Sequence, residues 1–332
     1  MTDDPPGRIP PSPPGQRAEL CPGCPEAGTR CHGWHRNGPE QWCDAAEQAD
    51  CADCLTPCCR FEAVRDRWLA DECGLSWETW EPAALELPGV IFRLHRKGWG
   101  VPCGAVTISA EQILRPGGWT KARKLRERFE VADGDLLGLD WFVKDPILDN
   151  LATREPEELA DVVEACGLDF MFGPNFSTFG NHGSISTAIG RARHARYSAA
   201  VAKRGIPVIP GLSWLQPIQA YRAIRHYGGH RYAAANLQLV RHAAGSKLLA
   251  RHLADLRWLA QNGGWQIVAA GVHGTRARAA VEALGAVIWD CKLYRASEFR
   301  KNLAGEQVYG SREEAWKENA AAYAVAVERW RR

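Results

Sequence analysis

The sequence predicts an α/β fold, a TIM-type (β/α)8-like barrel preceded by a cysteine-rich metal-binding module. Three observations support this: eight short apolar runs, helix-like segments between most of them, and eight cysteines within 39 residues. Strands that alternate with helices form parallel sheets buried on both faces, so their sequences are continuously apolar. At 332 residues the chain has room for a barrel of about 250 residues and an additional module.

Composition divides the chain into four parts. Residues 1–18 are rich in proline and are expected to be a disordered lead. Residues 19–60 hold the cysteine-rich module, and residues 61–85 form a connector rich in tryptophan. Residues 86–332 carry the alternating strands and helices and are expected to form the barrel domain.

The predicted barrel strands are VIFRL, AVTIS, LLGLDWF, LDFMF, IPVIPG, AAANLQLV, WQIVAAG and AVIWD. Helices are predicted at 155–165, 184–204, 217–227, 246–261 and 275–284, with a final amphipathic helix at 311–331 expected to close the bottom of the barrel. The first two β/α units are expected to be irregular. The alternative, an open doubly wound sheet, would be supported by a glycine-rich phosphate-binding loop, and the sequence contains no such loop.

Charge is distributed unevenly, although the formal net charge is only +2. Residues 1–184 hold 18 Lys and Arg against 30 Asp and Glu, whereas residues 185–300 hold 17 against 4. This basic block indicates a polyanionic partner such as DNA or RNA, and the alternative is that it forms solvated helix faces. No segment has the apolar length of a membrane span or signal peptide, so we expect a cytoplasmic protein without a membrane partner. The sequence does not indicate an oligomeric state.

The clustered cysteines are the candidate metal ligands: Cys21, Cys24, Cys31, Cys43, Cys51, Cys54, Cys58 and Cys59. Pairs of cysteines two or three residues apart let their thiolates reach one ion from a single turn, and disulfides are rare in the cytosol. Two interpretations remain open. The module binds structural zinc, with His32 and His35 as alternative ligands, or it holds an iron–sulfur cluster. Zinc is favoured, because the C-x3-C-x2-C spacing of radical-SAM clusters is absent.

Barrel enzymes place their active sites at the carboxyl ends of the strands. Asp140, Asp290 and His273 follow apolar strands and are the candidate catalytic residues. Two carboxylates that face each other across the mouth could divide the general acid and general base roles, whereas the alternative is that each caps a turn or pairs with an arginine. The candidate substrate-binding residues are Ser109, Trp141, Asn175, Ser177, Trp214, Asn236, Gln238 and Lys292. The candidate nucleic-acid-binding residues are Arg191, Arg193 and Arg196.

Residues 168–214, LDFMFGPNFSTFGNHGSISTAIGRARHARYSAAVAKRGIPVIPGLSW, resemble a phage- and plasmid-borne domain of unknown function. That family has a strand, an S-P-D-F-S motif, a helix with spaced arginines and a V-I-P-T-V-S-W strand. Here GPNFS at 173–177 and VIPGLSW at 208–214 occupy the two motifs. The match covers about a seventh of the chain and implies no activity.

The strand endings more remotely resemble the tRNA-guanine transglycosylase superfamily, including phage members that place deazapurines in DNA. The similar stretches are PVIPGLSWLQPIQAYRAIRHYG, AANLQLV, WQIVAAGVHG and AVIWDCKLYRAS. The resemblance implies a barrel that exchanges a base with two aspartates, one of them a nucleophile. This chain has Asn175 where that pattern carries a carboxylate, so Asp140 or Asp290 would have to replace it, and the C-terminal zinc motif of those enzymes is missing.

Three functions remain open. The favoured one is a base-modifying enzyme of a phage or mobile element, transglycosylase-like and acting on DNA or RNA. The alternatives are a non-catalytic nucleic-acid-binding protein of a mobile element and an iron–sulfur redox enzyme that acts on a small molecule.

Overall fold

A computed structural model describes residues 78–120, 124–176, 184–212, 223–224, 226–237, 245–272, 274–290 and 293–332. The predicted disordered lead, the cysteine-rich module and residues 61–77 of the predicted connector lie outside these described residues.

One parallel sheet forms the centre of the domain. Its strands are β1 (Val90–Leu94), β2 (Ala105–Ser109), β5 (Leu136–Asp140), β6 (Phe170–Phe172), β7 (Val208–Ile209), β8 (Gly211–Leu212), β9 (Tyr232–Asn236), β10 (Gln266–Ala270) and β11 (Val287–Asp290). Their order is β7-β6-β5-β2-β1-β11-β10-β9-β8, and every neighbouring pair is parallel. The short strands β3 (Leu114–Arg115) and β4 (Gly118–Trp119) form a separate antiparallel hairpin. Each predicted strand therefore overlaps an observed one.

The sheet closes on itself at Pro210. The two edge strands, β7 and β8, are consecutive in the chain and are separated by this one proline. Proline has no N–H to donate, so it interrupts the strand, but its carbonyl still accepts the Ala234 N–H at 2.8 Å. On the other side, the Gly173 N–H donates to the Ile209 carbonyl at 2.9 Å. One chain segment thus pairs with both β6 and β9, and the predicted TIM-type barrel is confirmed.

Helices surround most of the barrel. They are α1 (Leu125–Phe129), α2 (Asp145–Leu151), α3 (Pro156–Ala165), α4 (Ser184–Ala202), α5 (Gly245–Gly263), α6 (Thr275–Leu284), α7 (Leu293–Glu298) and α8 (Arg312–Arg331). The predicted helix at 217–227 lies mostly outside the described residues. The first units are irregular as expected, because residues 95–104 link β1 to β2 without a helix. Among the described helices, none combines the length and the apolar character that crossing a membrane requires.

Two separate clusters of apolar side chains define the inside and the outside of the barrel. The inner one, the lumen cluster, consists of Ile91, Ala105, Phe170, Phe172, Ile209, Tyr232, Ala234, Val268, Ala270, Val287 and Trp289. The outer cluster lies between strands and helices and contains the alternate residues of the same strands, such as Phe92, Leu139 and Ile288. Because successive strand residues point to opposite faces, this division assigns every strand residue to the lumen or to the outer layer.

Gly138 on β5 makes room for a lumen side chain. A Cβ at this position would lie 2.3 Å from the Phe170 ring, which is closer than any side chain tolerates. Glycine at this inward position lets the large ring fill the lumen, as barrel interiors require alternation of large and small residues.

The last helix does not close the bottom of the barrel, so that expectation was wrong. Trp316 and Tyr323 of α8 pack on Phe92 in the outer layer, with ring centroids 5.5 and 6.3 Å away. Leu85 and Leu87, just before β1, instead pack against the lumen cluster, and the Leu87 N–H donates to the Tyr232 hydroxyl at 3.0 Å. The helix is amphipathic because it lies in the outer ring, with one face on the sheet.

Candidate active site

Asp140 ends β5 and points into the lumen. It lies two and four residues after Gly138 and Leu136, which both face the lumen, and alternation therefore places its carboxylate there too. The side chain is fully buried. A carboxylate at the carboxyl end of a barrel strand occupies the position that catalytic groups take in this fold.

Arg93 of β1 provides the positive partner of Asp140. Its Nη2 lies 2.9 Å from Asp140 Oδ1 and also donates to the Phe142 carbonyl at 3.2 Å. The guanidinium carbon lies 5.5 Å from the centroid of the Trp289 ring, within the range of a cation–π contact. The arginine is thus held by a carboxylate, a carbonyl and an aromatic face.

Aromatic side chains enclose the ion pair. The Phe142 ring lies 4.8 Å from Trp289 and 6.1 Å from Phe172, measured between centroids. Trp289 is fixed in turn, because its indole N–H donates to the Thr107 hydroxyl at 2.8 Å. The Phe142 N–H lies 3.3 Å from Asp140 Oδ1. Asp140 has no exposed surface, so a substrate reaches it only after a covering group moves.

The protonation of Asp140 is set by two opposing effects. Burial raises the pKa of Asp140 to about 6, while the Arg93 guanidinium, the Phe142 N–H and the Thr107 hydroxyl act in the lowering direction. Asp140 Oδ2 has no hydrogen-bond partner among the described residues. A buried carboxylate with one uncommitted oxygen and a pKa near 6 can exchange a proton with a bound molecule close to neutral pH.

Asp290 occupies the same end of the barrel as Asp140 but the other face of the wall. Its neighbour Trp289 faces the lumen and Ile288 faces the outer layer, so alternation directs Asp290 outward. Its Oδ1 accepts the Leu293 N–H at 2.7 Å, at the start of α7. The two aspartates therefore do not face each other across the lumen, and Asp290 acts as a helix cap.

Other predicted site residues on the strands take different positions. Ser109 and Asn236 lie on the lumen faces of β2 and β9, with Ser109 accepting the Glu111 N–H at 3.3 Å. Trp141 is 1% exposed and packs in the outer cluster, where its ring has no free face for stacking on a base. The structure thus brings Ser109, Asn236 and Asp140 to one lumen end and separates Trp141 from them.

Asn175 and Arg191 meet His194 at a small cavity outside the barrel. This cavity has a volume of about 20 Å3, enough for one water molecule, and it lies between α4 and the ends of β6 and β8. His194 Nδ1 lies 2.8 Å from the Pro174 carbonyl oxygen, and its Nε2 lies 3.3 Å from the Gly211 nitrogen.

These two contacts fix the tautomer of His194. A ring that donates to a carbonyl through Nδ1 and accepts an N–H at Nε2 is neutral. Burial lowers the pKa of His194 to about 4, although the Pro174 contact acts in the opposite direction. The neutral His194 ring therefore connects the end of β6 to the start of β8 by hydrogen bonds. No side chain fits at the neighbouring Gly173, where a Cβ would lie 2.3 Å from the imidazole.

The three candidate nucleic-acid-binding arginines do not share one face of α4. Arg191 is buried beside Asn175, whereas Arg193 and Arg196 are half-buried on the other side of the helix. Arg196 Nη2 lies 3.3 Å from Glu155 Oε2. Further basic side chains of residues 185–300 also pair with acids that precede this block: Lys203 with Glu78, Arg204 with Asp161 and Glu164, and Arg231 with Glu86. Part of the charge asymmetry is therefore compensated within the fold.

The remaining candidates lie outside the described residues. These are Ser177, Trp214, Gln238, His273, Lys292 and the eight clustered cysteines, with His32 and His35. Within the described part of the chain, no group of three His, Cys, Asp or Glu side chains is arranged to hold a metal ion.

Sequence reasoning missed four residues of the site: Arg93, Thr107, Phe142 and Trp289. The signal for Arg93 was a cation in the middle of the apolar run VIFRL, because a buried arginine requires an acidic partner. Nothing comparable marks the two aromatic residues, since apolar residues are expected in any buried strand.

Comparison with known proteins identifies no family. No protein-family model matches the chain, and no curated protein matches it. Thiamine phosphate pyrophosphorylase from Pyrococcus furiosus is similar at 14% identity with a TM-score of 0.35, over 72% of this chain and 95% of that chain. The YdjI aldolase from Escherichia coli K12 is similar at 13% identity with a TM-score of 0.39, over 76% of this chain and 91% of that chain. The assignment of the barrel rests on its own strand order.

Proposed function

We propose that this chain is a nucleic-acid base-modifying enzyme, transglycosylase-like, in which Asp140 acts as the general base. The observation that carries the proposal is the enclosed Asp140 carboxylate, whose pKa is about 6 and whose Oδ2 has no partner among the described residues. Above pH 6 this oxygen is ionised and can accept a proton from a bound base or hydroxyl.

Arg93 supports that role by its position. Its Nη2 binds Asp140 through Oδ1, which orients the carboxylate, and Oδ2 has no hydrogen-bond partner among the described residues. A positive partner also stabilises the ionised form, so the carboxylate stays charged at neutral pH despite its burial. Arg93 is therefore a positioning residue, and Asp140 is the proposed catalytic residue.

The aromatic lining suits a planar substrate. Phe142, Phe172 and Trp289 surround the ion pair with ring faces and edges, and nucleobases stack favourably on aromatic side chains. A base within a duplex would have to flip out of the stack to enter a barrel lumen. Ser109 and Asn236 at the same strand ends offer polar groups that could orient such a base.

The cysteine module completes the proposal. We infer that its thiolates hold zinc and that the folded module contributes to substrate binding. Asn175 cannot replace the carboxylate of the transglycosylase pattern, because an amide is not a nucleophile and because its side chain belongs to the cavity near His194.

The proposal is tested by the nucleosides of cells that produce this protein. DNA and RNA from cells with the wild-type chain, with Asp140→Asn and with Asp290→Asn are digested and compared by mass spectrometry. A modified nucleoside that is present with the wild type and with Asp290→Asn, and lost with Asp140→Asn, is the expected result. The Asp290 variant is the matched control, since it changes a buried strand-end aspartate outside the lumen. An identical nucleoside profile for wild type and Asp140→Asn, with both proteins folded, contradicts the proposal.

A further inference from the structure

An exposed basic groove lies between the end of α7 and the start of α8. Its volume is about 580 Å3, and its lining is Phe299, Arg300, Lys301, Gln307, Gly310, Ser311 and Arg312. This size falls in the range of about 300–1,000 Å3 that is typical of ligand sites. The lining contains three cations and no carboxylate.

Two acidic side chains close to the groove in sequence accept other hydrogen bonds, and one of them, Glu314, lies at the edge of the groove. Glu306 accepts from the Asn302 amide at 2.8 Å, and Glu314 accepts the Gly310 N–H at 3.0 Å. Among the described residues, no ion pair engages Arg300, Lys301 or Arg312. The three cations of the groove therefore have no acidic partner within salt-bridge distance among the described residues, and the Glu314 carboxylate lies at the groove edge.

Exposed apolar side chains accompany these cations. Phe299 is 57% exposed, and Leu303 and Val308 of the same loop are also largely exposed. An exposed aromatic ring beside several cations is the combination by which proteins bind single strands, with a base on the ring and phosphates on the cations.

Arg300 adopts a backbone conformation that costs free energy. Its φ is 55°, in the left-handed region. It ends α7 in a Schellman motif, in which the Arg300 N–H donates to the Ser297 carbonyl at 2.9 Å and the Lys301 N–H to the Ala296 carbonyl at 3.1 Å. Glycine is the preferred residue at this position because it has no Cβ. The arginine side chain is therefore not required for the backbone conformation at this position, so it can be replaced by glycine without loss of the motif.

The loop that carries the groove is held in place. Lys301 and Gln307 form an antiparallel backbone bridge. The buried Asn319 of α8 donates to the Lys301 carbonyl at 2.7 Å and to the Ser297 hydroxyl at 3.2 Å. The cations therefore project from a fixed hairpin, which limits the entropy lost on binding.

The groove opens at the same end of the barrel as Asp140. Arg331, at the other end of α8, donates to the carbonyls of Ala286 and Gly89, which immediately precede β11 and β1. The helix has 20 residues and spans about 30 Å, whereas a five-residue strand spans roughly 17 Å. With Trp316 already packed against Phe92 in mid-strand, the start of α8 lies at the level of the carboxyl ends of the strands.

We propose that this groove binds single-stranded nucleic acid, with Phe299 stacking on a base and Arg300, Lys301 and Arg312 contacting phosphates. The inference rests on the proposed function and deepens it, because it assigns the surface along which the strand reaches the barrel mouth. The ligand class is a single strand, since stacking on Phe299 requires an unpaired base face.

The test measures binding of the full-length chain to a fluorescent oligothymidylate by anisotropy at several salt concentrations. Phe299→Ala is expected to weaken binding roughly fivefold or more. Arg300→Gly, Lys301→Ala and Arg312→Ala are each expected to reduce the slope of log affinity against log salt by about 0.7. Arg329→Ala removes an exposed cation from the other end of α8 and is the matched control, expected to bind as the wild type does.

Arg300→Gly separates binding from folding. Since glycine fits the left-handed position, this variant is expected to keep the wild-type thermal midpoint or raise it by about 2 °C while binding weakens. A lowered midpoint, or unchanged affinity in all four groove variants, overturns the inference.

Further outcomes separate this inference from the proposed function. Tight binding that is insensitive to the groove variants rejects the groove as the binding site and does not contradict the proposed base-modifying function. Loss of binding in the groove variants, with an unchanged nucleoside profile in Asp140→Asn, rejects the proposed base-modifying function and supports the groove as a single-strand binding site. No binding of any oligonucleotide by the wild type, or equal competition by duplex DNA or inorganic phosphate, rejects a single-strand site.

Discussion

Arg93 and Asp140 form an ion pair inside the barrel, with Nη2 of the arginine 2.9 Å from Oδ1 of the aspartate. The pair joins the ends of β1 and β5 across the intervening β2. The Asp140 side chain is fully enclosed, so its charge depends on this partner for compensation. Stability and proposed chemistry thus depend on the same contact.

Removal of one member of the pair is expected to be costly. Arg93→Met leaves an uncompensated buried carboxylate and should lower the free energy of unfolding by about 3–5 kcal/mol at pH 8. The double variant Arg93→Met/Asp140→Leu removes both charges and should recover most of that loss. Denaturant unfolding of the wild type, Arg93→Met, Asp140→Leu and the double variant gives the coupling. A loss of unfolding free energy in the double variant equal to the sum of the losses in the two single variants would show that the pair is not coupled.

His194 is expected to make the fold sensitive to acid. Because burial lowers the pKa of His194 from 6.5 to about 4, the unfolded chain binds a proton in this window and the folded chain does not. Stability contributed by the neutral ring is therefore present above pH 6.5 and is lost as the pH falls towards 4. His194→Gln should unfold more easily at pH 7 but lose less stability between pH 6.5 and 4. Parallel stability curves for variant and wild type would contradict this assignment.

Asp140 is expected to stabilise the fold on acidification, which is opposite to the effect of His194. Its folded pKa is about 6 against an ordinary value of 3.8, so the folded chain binds the proton first and acidification from pH 6 to 4 favours folding. Asp140→Asn removes this compensation. Its thermal midpoint is expected to fall more steeply than that of the wild type over the same pH range, and a shallower fall would mean that Asp140 is not buried as described.

The lumen should tolerate no side chain at Gly138. Gly138→Ala places a methyl group 2.3 Å from the Phe170 ring and is expected to cost about 1–3 kcal/mol of unfolding free energy. Gly117→Ala is the matched control, since a Cβ there meets no atom within 4 Å. Chemical denaturation of both variants tests the packing. Similar stabilities would indicate that the barrel interior is looser than described.

Elemental analysis tests the predicted metal module. Purified full-length protein is expected to contain zinc, to be colourless and to lose the metal together with the fold of residues 19–60 on chelation. The barrel residues form their own core and should remain folded, as followed by circular dichroism. A brown protein that contains iron and sulfide would establish the iron–sulfur alternative instead.

The sequence located the strands but not their faces. VIFRL and AVTIS coincide with β1 and β2, and the helix at 275–284 is observed with those bounds. In a parallel barrel, however, both faces of a strand are apolar, so no alternation shows which residues point inward. Asp140 and Asp290 look alike in sequence for this reason, although one lies in the lumen and the other caps a helix.

Short elements also escaped prediction. The hairpin β3–β4 and the helices α1, α2 and α7 are too brief to show a period. Pro210 was visible in IPVIPG, but its position at the closure of the barrel depends on pairing with distant strands. Those contacts are set by the whole fold and not by the local sequence.

The ionisation of Asp140 can be followed directly by NMR. The carboxylate resonance of Asp140, identified by its absence in Asp140→Asn, is followed by carbon-13 NMR of aspartate-labelled protein from pH 4 to 8. A titration midpoint near pH 6 is expected in the wild type, and a higher midpoint is expected in Arg93→Gln, where the positive partner is lost. A midpoint close to the ordinary aspartate value of 3.8, unaffected by the Arg93 change, would show that Asp140 is neither buried nor paired with Arg93.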